Sequence, residues 1–235
     1  MNASKLIAAL AISTWATATF SQNINVVPPQ NVLQLSASAQ IEVTQDLLQL
    51  SMSTTREGQD ANAVQAQLKT ALDAALTEAK KTAQEGQMDV RTGNFSLYPR
   101  YGKDGKAGGW TGSAEMVLDG RDFARITAAA GKISTLVVSN VQFGLTREQR
   151  AKVETQAQSV AIERFKTKAG ELAKGFGFAS YTLREVAVNS NDGGGLRQRN
   201  MVMESRMSSA SSEALPVEAG KTAVQVTVSG SVQLK

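Results

Sequence analysis

Residues Val137 to Gly177 read VVSNVQFGLTREQRAKVETQAQSVAIERFKTKAGELAKGFG. The first part, Val137 to Leu145, has the β-branched character of a strand. Thr146 with Gln149 three residues on resembles a capping box. It opens a helix near 147–174 that places Val153, Ala157, Val160, Phe165, Ala169, Leu172 and Phe176 on one stripe. Gly175 or Gly177 ends it. At about 1.5 Å per residue it spans some 40 Å, so it must lie across a whole sheet or join subunits. Gly175-x-Gly177-x-x-Ser180 partly imitates a dinucleotide fingerprint, but it follows a helix and precedes a strand. That is the reverse of the order phosphate binding needs, and the motif reads as a helix C-cap.

Working upstream, apolar residues alternate from Leu33 through Leu35, Ala37, Ala39, Ile41 and Val43, and again at Leu48, Leu50 and Met52. Period two predicts half-buried strands, either an antiparallel hairpin or one long bent strand. Asp60 is placed to cap a helix whose apolar face is Val64, Leu68, Ala71 or Leu72, Ala75 or Leu76, and Ala79, closed by Gly86. Val90 to Tyr101 and Trp110 to Leu118 form a hairpin around the Gly- and Lys-rich stretch 102–109. Asp122 caps a shorter helix with Phe123, Ile126, Ala130 and Ile133. Downstream of the long helix, Tyr181 to Val188 is a further strand. Residues 189–215, rich in Ser, Asn and Gly, read as a long, poorly ordered loop. Val224, Val226, Val228, Val232 and Leu234 alternate in a terminal strand. The plan is α+β: antiparallel sheets packed with two or three helices, one of them long.

The N-terminus has Lys5, an apolar run from Leu6 to Phe20, then polar Ser21-Gln22-Asn23. That order is a secretory signal peptide, here 1–21, with cleavage expected before Gln22 or before Thr19. The run has about 15 residues, several of them Ser or Thr, against the roughly 20 strongly apolar ones of a spanning helix. Residues 22–31, with Pro28-Pro29, read as an extended leader, and 32–235 as the folded domain. No later segment is apolar enough to span a membrane. The net charge of +4 is mild, and export argues against a nucleic-acid partner. The chain has no His and no Cys. Ser-His-Asp triads, thiol nucleophiles, haem sites with His or Cys ligands and ordinary zinc sites are therefore excluded. No metal and no cofactor is expected. Without disulfides, stability in an oxidising compartment must come from packing.

Three segments together carry a resemblance. The first is Val90, Thr92, Phe95, Leu97, Pro99 and Tyr101. The second is Val141-Gln142-Phe143 before the long Ala-rich helix with its Lys168 to Gly177 ending. The third is Val224 to Val228 after Gly220. In order and spacing the chain from about Val32 to Leu234 resembles the SIMPL-domain family of bacterial periplasmic or secreted proteins. Ser36-Ala37-Ser38 stands where the family usually has Gly-x-Gly, and Gln45-Asp46-Leu47 where it has Pro-Asp-Ala. The resemblance implies an envelope location, no established enzyme activity, and a link to oxidative-stress tolerance and immunogenic periplasmic or outer-membrane fractions.

Two clusters are candidate sites. Tyr98, Arg100, Tyr101 and Trp110, with Lys103 and Lys106, gather aromatic faces and cations around the hairpin tip. They suit a cell-wall fragment or an anionic headgroup, a subunit contact, or simple packing of the sheet. Met201, Met203 and Met207 suit oxidant quenching, soft Cu(I), an adaptable binding segment or plain disorder. Glu154, Glu163 and Glu171 lie among basic residues as a solvated helix face. The leading expectation is a non-enzymatic periplasmic envelope protein that self-associates through strand edges, the long helix or the 189–215 loop, with a scaffold or oxidative-stress-protective role. A homo-oligomer and an envelope or cell-surface partner go with it. The alternative is a monomeric module that binds an envelope ligand with the 95–110 hairpin. An enzyme built on carboxylates, Ser, Lys or Tyr has no visible constellation.

Overall fold

The alternation beginning at Leu33 forms strand β1 (Val32–Thr44), and the next forms β2 (Leu47–Gly58). The computed structural model describes residues 30–102, 105, 107–191, 197–198 and 217–235, so the signal segment and nearly all of the leader lie outside them. Helix α1 (Ala61–Lys80) follows, then β3 (Asp89–Tyr101), β4 (Ala107–Gly120), α2 (Phe123–Lys132), β5 (Val137–Gly144) and the long α3 (Arg147–Gly175). The chain continues through β6 (Tyr181–Asn191), a two-residue β7 (Arg197–Gln198) and β8 (Lys221–Leu234). β6 runs three residues into the stretch expected as loop, and β7 lies within it.

Among the described residues all pairing is antiparallel and divides into two sheets, ordered β1-β8-β6 and β3-β4-β2-β5-β7. The expected β1–β2 hairpin therefore does not form. A two-residue hairpin turn needs positive φ, and neither Gln45 nor Asp46 has it. Instead the two residues carry the chain from one sheet to the other, as a bent strand would, with Gln45 N–H bonded to Gly220 O (3.0 Å) and Asp46 N–H to Gly144 O (3.1 Å).

Each sheet has one helix-covered face. On the five-stranded sheet Leu48, Leu50, Met52, Ala114, Met116 and Leu118 pack against Val64, Leu68, Ala71, Ala75 and Ala79 of α1 and Ile126 of α2. The caps are as expected. Asp60 accepts from Ala63 N (2.8 Å) and Asp122 from Arg125 N (3.0 Å). That backbone bond, aided by the Arg125 guanidinium, holds the Asp122 carboxyl below its usual 3.8. A depressed carboxylate stabilises the fold above its unfolded pKa and loses that contribution as pH falls through the folded value. Asp122→Asn should therefore flatten the acid side of the stability profile below about pH 4, leaving it nearly parallel to wild type above pH 5. Urea titrations at fixed pH values read this directly, and identical acid limbs in the two chains would refute it.

The three-stranded sheet is covered by α3. The buried stripe is Val153, Ala157, Ala161, Phe165, Ala169 and Ala173, one residue in four, against Leu35, Ala39, Val226, Val228 and Val232. This corrects the stripe read from the sequence. Val160 is 36% and Phe176 62% exposed, while small alanines let the helix sit close on the sheet. The helix ends in a Schellman motif, with Phe178 N–H bonded to Ala173 O (2.9 Å), Gly177 N–H to Lys174 O (3.0 Å) and Gly177 at φ +83. At the other end the capping box is half made. Thr146 Oγ1 accepts from Gln149 N (3.3 Å), but the Thr146 N–H goes to Asp46 Oδ1 (2.8 Å) and its hydroxyl to Asp46 Oδ2 (2.7 Å). Arg121 donates to Thr146 Oγ1 and to Glu148, each at 2.9 Å. The two sheets thus meet where three chain crossings converge, over a small core of Leu145, Val153 and Val224. Among the described residues no helix is long and apolar enough to cross a membrane.

Candidate functional site

The β3–β4 hairpin forms as expected, with Pro99 opposite Trp110 and Arg100 opposite Gly109. Strand pleat puts alternate residues on opposite faces. Leu97 and Trp110 lie on the α1 side and pack against its core. Tyr98 and Arg100 fall on the other face, where Tyr98 is 62% exposed and Arg100 pairs with Glu57. Tyr101, beyond a register shift, is 68% exposed. The structure brings Tyr98 and Arg100 to one face and separates them from Trp110. Lys103 and Lys106, like Met201, Met203 and Met207, lie outside the described residues.

Sheet edges are a second kind of site, because an unpaired edge strand presents free backbone N–H and C=O groups to any extended chain. Three of the four edges are blunted. Along β1, Arg164 donates to Ser38 O (2.8 Å) and Lys168 to Ser36 O (3.0 Å). β3 is broken by a register shift between Thr92 and Phe95, where Glu115 bonds Asn94 N (3.1 Å), and it carries Pro99. β7 has two residues.

β6 shares only the register shift, between Leu183 and Glu185, and has neither a proline nor side-chain cover. Among the described residues no side chain bonds its backbone, and Thr182 to Ser190 are all exposed. Tyr181, Leu183, Val186 and Val188 sit opposite Leu234, Val232, Gly230 and Val228, on the α3 side of the sheet. α3 lies over β1 and β8, and on β6 Tyr181 packs against its cluster, its hydroxyl donating to Lys166 O (3.2 Å). Leu183, Val186 and Val188 are left 53%, 45% and 43% exposed. The face turned from α3 is polar and holds an open hollow of about 470 Å³, lined by Gln34, Ser36, Glu185, Ser229 and Ser231.

Sequence reading found the β6 strand but not its exposure. One signal was present: apolar residues step by two from Tyr181 to Leu183, by three to Val186, then by two to Val188. That slip marks the bulge observed between Leu183 and Glu185.

A family model described as SIMPL, a protein of unknown function (DUF541), matches residues 33–232. No curated protein matches the chain. Two solved structures show partial likeness. The crystal structure of AtUAH in complex with glyoxylate is 13% identical over 55% of this chain and 34% of that one, with a TM-score of 0.24. The crystal structure of AtUAH in complex with (S)-hydroxyglycine is 15% identical over the same shares, with a TM-score of 0.22. The chain thus spans about a third of those proteins, and likeness at such scores carries no argument.

Proposed function

The chain belongs to the SIMPL family, proteins of unknown function, and from that premise we propose that it is a non-enzymatic, self-associating protein of the bacterial envelope, exported to the periplasm, with a scaffold or oxidative-stress-protective role. The observation that carries self-association is β6, an 11-residue edge strand with three large apolar side chains 43–53% exposed. The signal-like character of residues 1–21 supports export. The absence of His and Cys supports a role without catalysis.

Absolute mass of the exported chain by size-exclusion chromatography with light scattering is the test. A discrete multiple of the monomer is expected, and a monomer throughout the micromolar range would sink the reading.

The stress role has its own check. Met52, Met88 and Met116 are at most 2% exposed, so oxidants in solution do not reach them in the folded chain. Under peroxide, sulfoxide at Met201, Met203 and Met207 should form about tenfold faster than at these three. Peptide mapping by mass spectrometry reads the ratio, and equal rates would remove thioether quenching from the proposal.

A specific observation favours the second reading, a monomeric binding module. Tyr98 and Tyr101 hold exposed aromatic faces at the hairpin. Tyr98→Ala with Tyr101→Ala would then abolish capture of cell-wall or lipid fragments without changing the melting temperature.

A further inference from the structure

β6 is interrupted at one point. Arg184 is the extra residue of a bulge between Leu183, opposite Val232, and Glu185, opposite Ser231. Before the bulge the odd-numbered residues Tyr181 and Leu183 face the α3 side. After it the even-numbered Val186 and Val188 do. Arg184 donates to Gln233 Oε1 (3.1 Å) on the other face, where Glu185 also lies, and among the described residues Glu185 has no cationic partner.

A partner strand follows this change of parity in one of two ways: it sets one residue against two of β6, as the regular β8 does, or it carries the same change itself. In antiparallel pairing, directly opposed side chains share a face. In unbroken one-to-one register a regular strand agrees with β6 on one side of the bulge and conflicts on the other. A second copy of β6 carries the same change. If the two bulges lie opposite each other, faces agree along the whole strand.

We propose that two copies of this chain join by antiparallel β6–β6 pairing about a twofold axis between Arg184 and Glu185. Leu183 then lies opposite the partner's Val186, Tyr181 opposite the partner's Val188, and Arg184 opposite the partner's Glu185. The inference rests on the self-association reading above and names its interface. The four large apolar residues of the edge, Tyr181, Leu183, Val186 and Val188, meet one another, and the two charges meet their opposites twice, once on each side of the axis. The result is one six-stranded antiparallel sheet, β1-β8-β6 continued by its symmetry mate.

A competing register centres on Ala187. It pairs Val186 with the partner's Val188, but sets Arg184 against the partner's Ser190 and Leu183 against the partner's Asn191. There each bulge meets a regular stretch, and the faces disagree beyond it.

The cysteine-free chain makes the register measurable. Leu183→Cys and Val186→Cys variants, each a single substitution in the full exported chain, are mixed and oxidised. Opposed residues of an antiparallel pair are within disulfide reach, so a covalent heterodimer is expected. Ala187→Cys alone should not cross-link. Separately, Arg184→Glu or Glu185→Arg should each weaken dimerisation about tenfold, and the two together should restore it, since like charges then give way to a reversed attractive pair. Circular dichroism verifies that each variant is folded. Cross-linking through Ala187→Cys, absence of the mixed disulfide, or failure of the double swap to restore dimerisation overturns this interface. When the unsubstituted chain still shows a multiple mass, self-association itself survives that result. A monomeric unsubstituted chain removes both.

Discussion

Asp46→Ala is expected to lower the unfolding free energy by about 2–4 kcal/mol and the melting temperature by about 5–12 °C. Asp46 is the residue by which the chain passes from one sheet to the other, and its carboxylate accepts both the Thr146 N–H (2.8 Å) and the Thr146 hydroxyl (2.7 Å). Arg121 stands 3.9 Å from the same carboxylate. A hydrogen bond to an ionised group contributes about 1.5–3 kcal/mol, and 32% exposure of the Asp46 side chain reduces that by screening. Removal also leaves a part-buried N–H at the start of α3 without its acceptor. Asp46→Asn should fall between, because its amide oxygen keeps the Thr146 N–H while the charge facing Arg121 is lost. Urea unfolding followed by Trp110 emission, which reports the five-stranded sheet, and by far-UV circular dichroism reads the loss. A change under about 0.5 kcal/mol would mean that Leu145, Val153 and Val224 alone hold the crossing.

Elements were more legible than partners. Alternation at Leu33 to Val43 and Leu48 to Met52 showed which side chains point inward, because the pleat fixes that locally. It carried no information on which strand each one pairs with, and β1 and β2 went to different sheets. The caps Asp60 and Asp122 were readable because each satisfies N–H groups within three residues. Thr146 was half readable, because its own N–H is claimed by Asp46, 100 residues away. On α3 the eye goes to large residues and selects Val160 and Phe176. The sheet instead selects Ala161 and Ala173, since close approach of a helix rewards small side chains as much as apolar ones.

The candidate sites follow the same division. Aromatic and cationic residues gathered at residues 98–110 in the sequence, but β-strand alternation sends Trp110 and Tyr98 to opposite faces. The β6 edge is a property of strand order and of where α3 lies. No pattern within Tyr181 to Asn191 specifies either, although the three-residue step across Arg184 and Glu185 does specify the bulge.

Gly230→Ala should destabilise the chain by about 3 kcal/mol and shift any assembly toward monomer. A Cβ at residue 230 would stand 2.2 Å from the Glu185 carbonyl oxygen and 3.1 Å from Val186 Cα. Both are backbone atoms, so no rotamer change relieves the contact. β6 has to move away from β8, its sole strand partner among the described residues. The bulge that sets the face of Leu183 relative to Val186 is lost with that movement, so stability and interface fail together. Gly131→Ala is the control of opposite sign. It sits in α2 with nothing within 4 Å of the added methyl, where restricting the unfolded chain is expected to stabilise by about 0.4–1 kcal/mol. Urea midpoints and light-scattering masses of both variants decide the matter. A Gly230→Ala chain as stable and as associated as wild type would show that β6 can leave this register without cost, and the assembly edge would have to be sought elsewhere in the molecule.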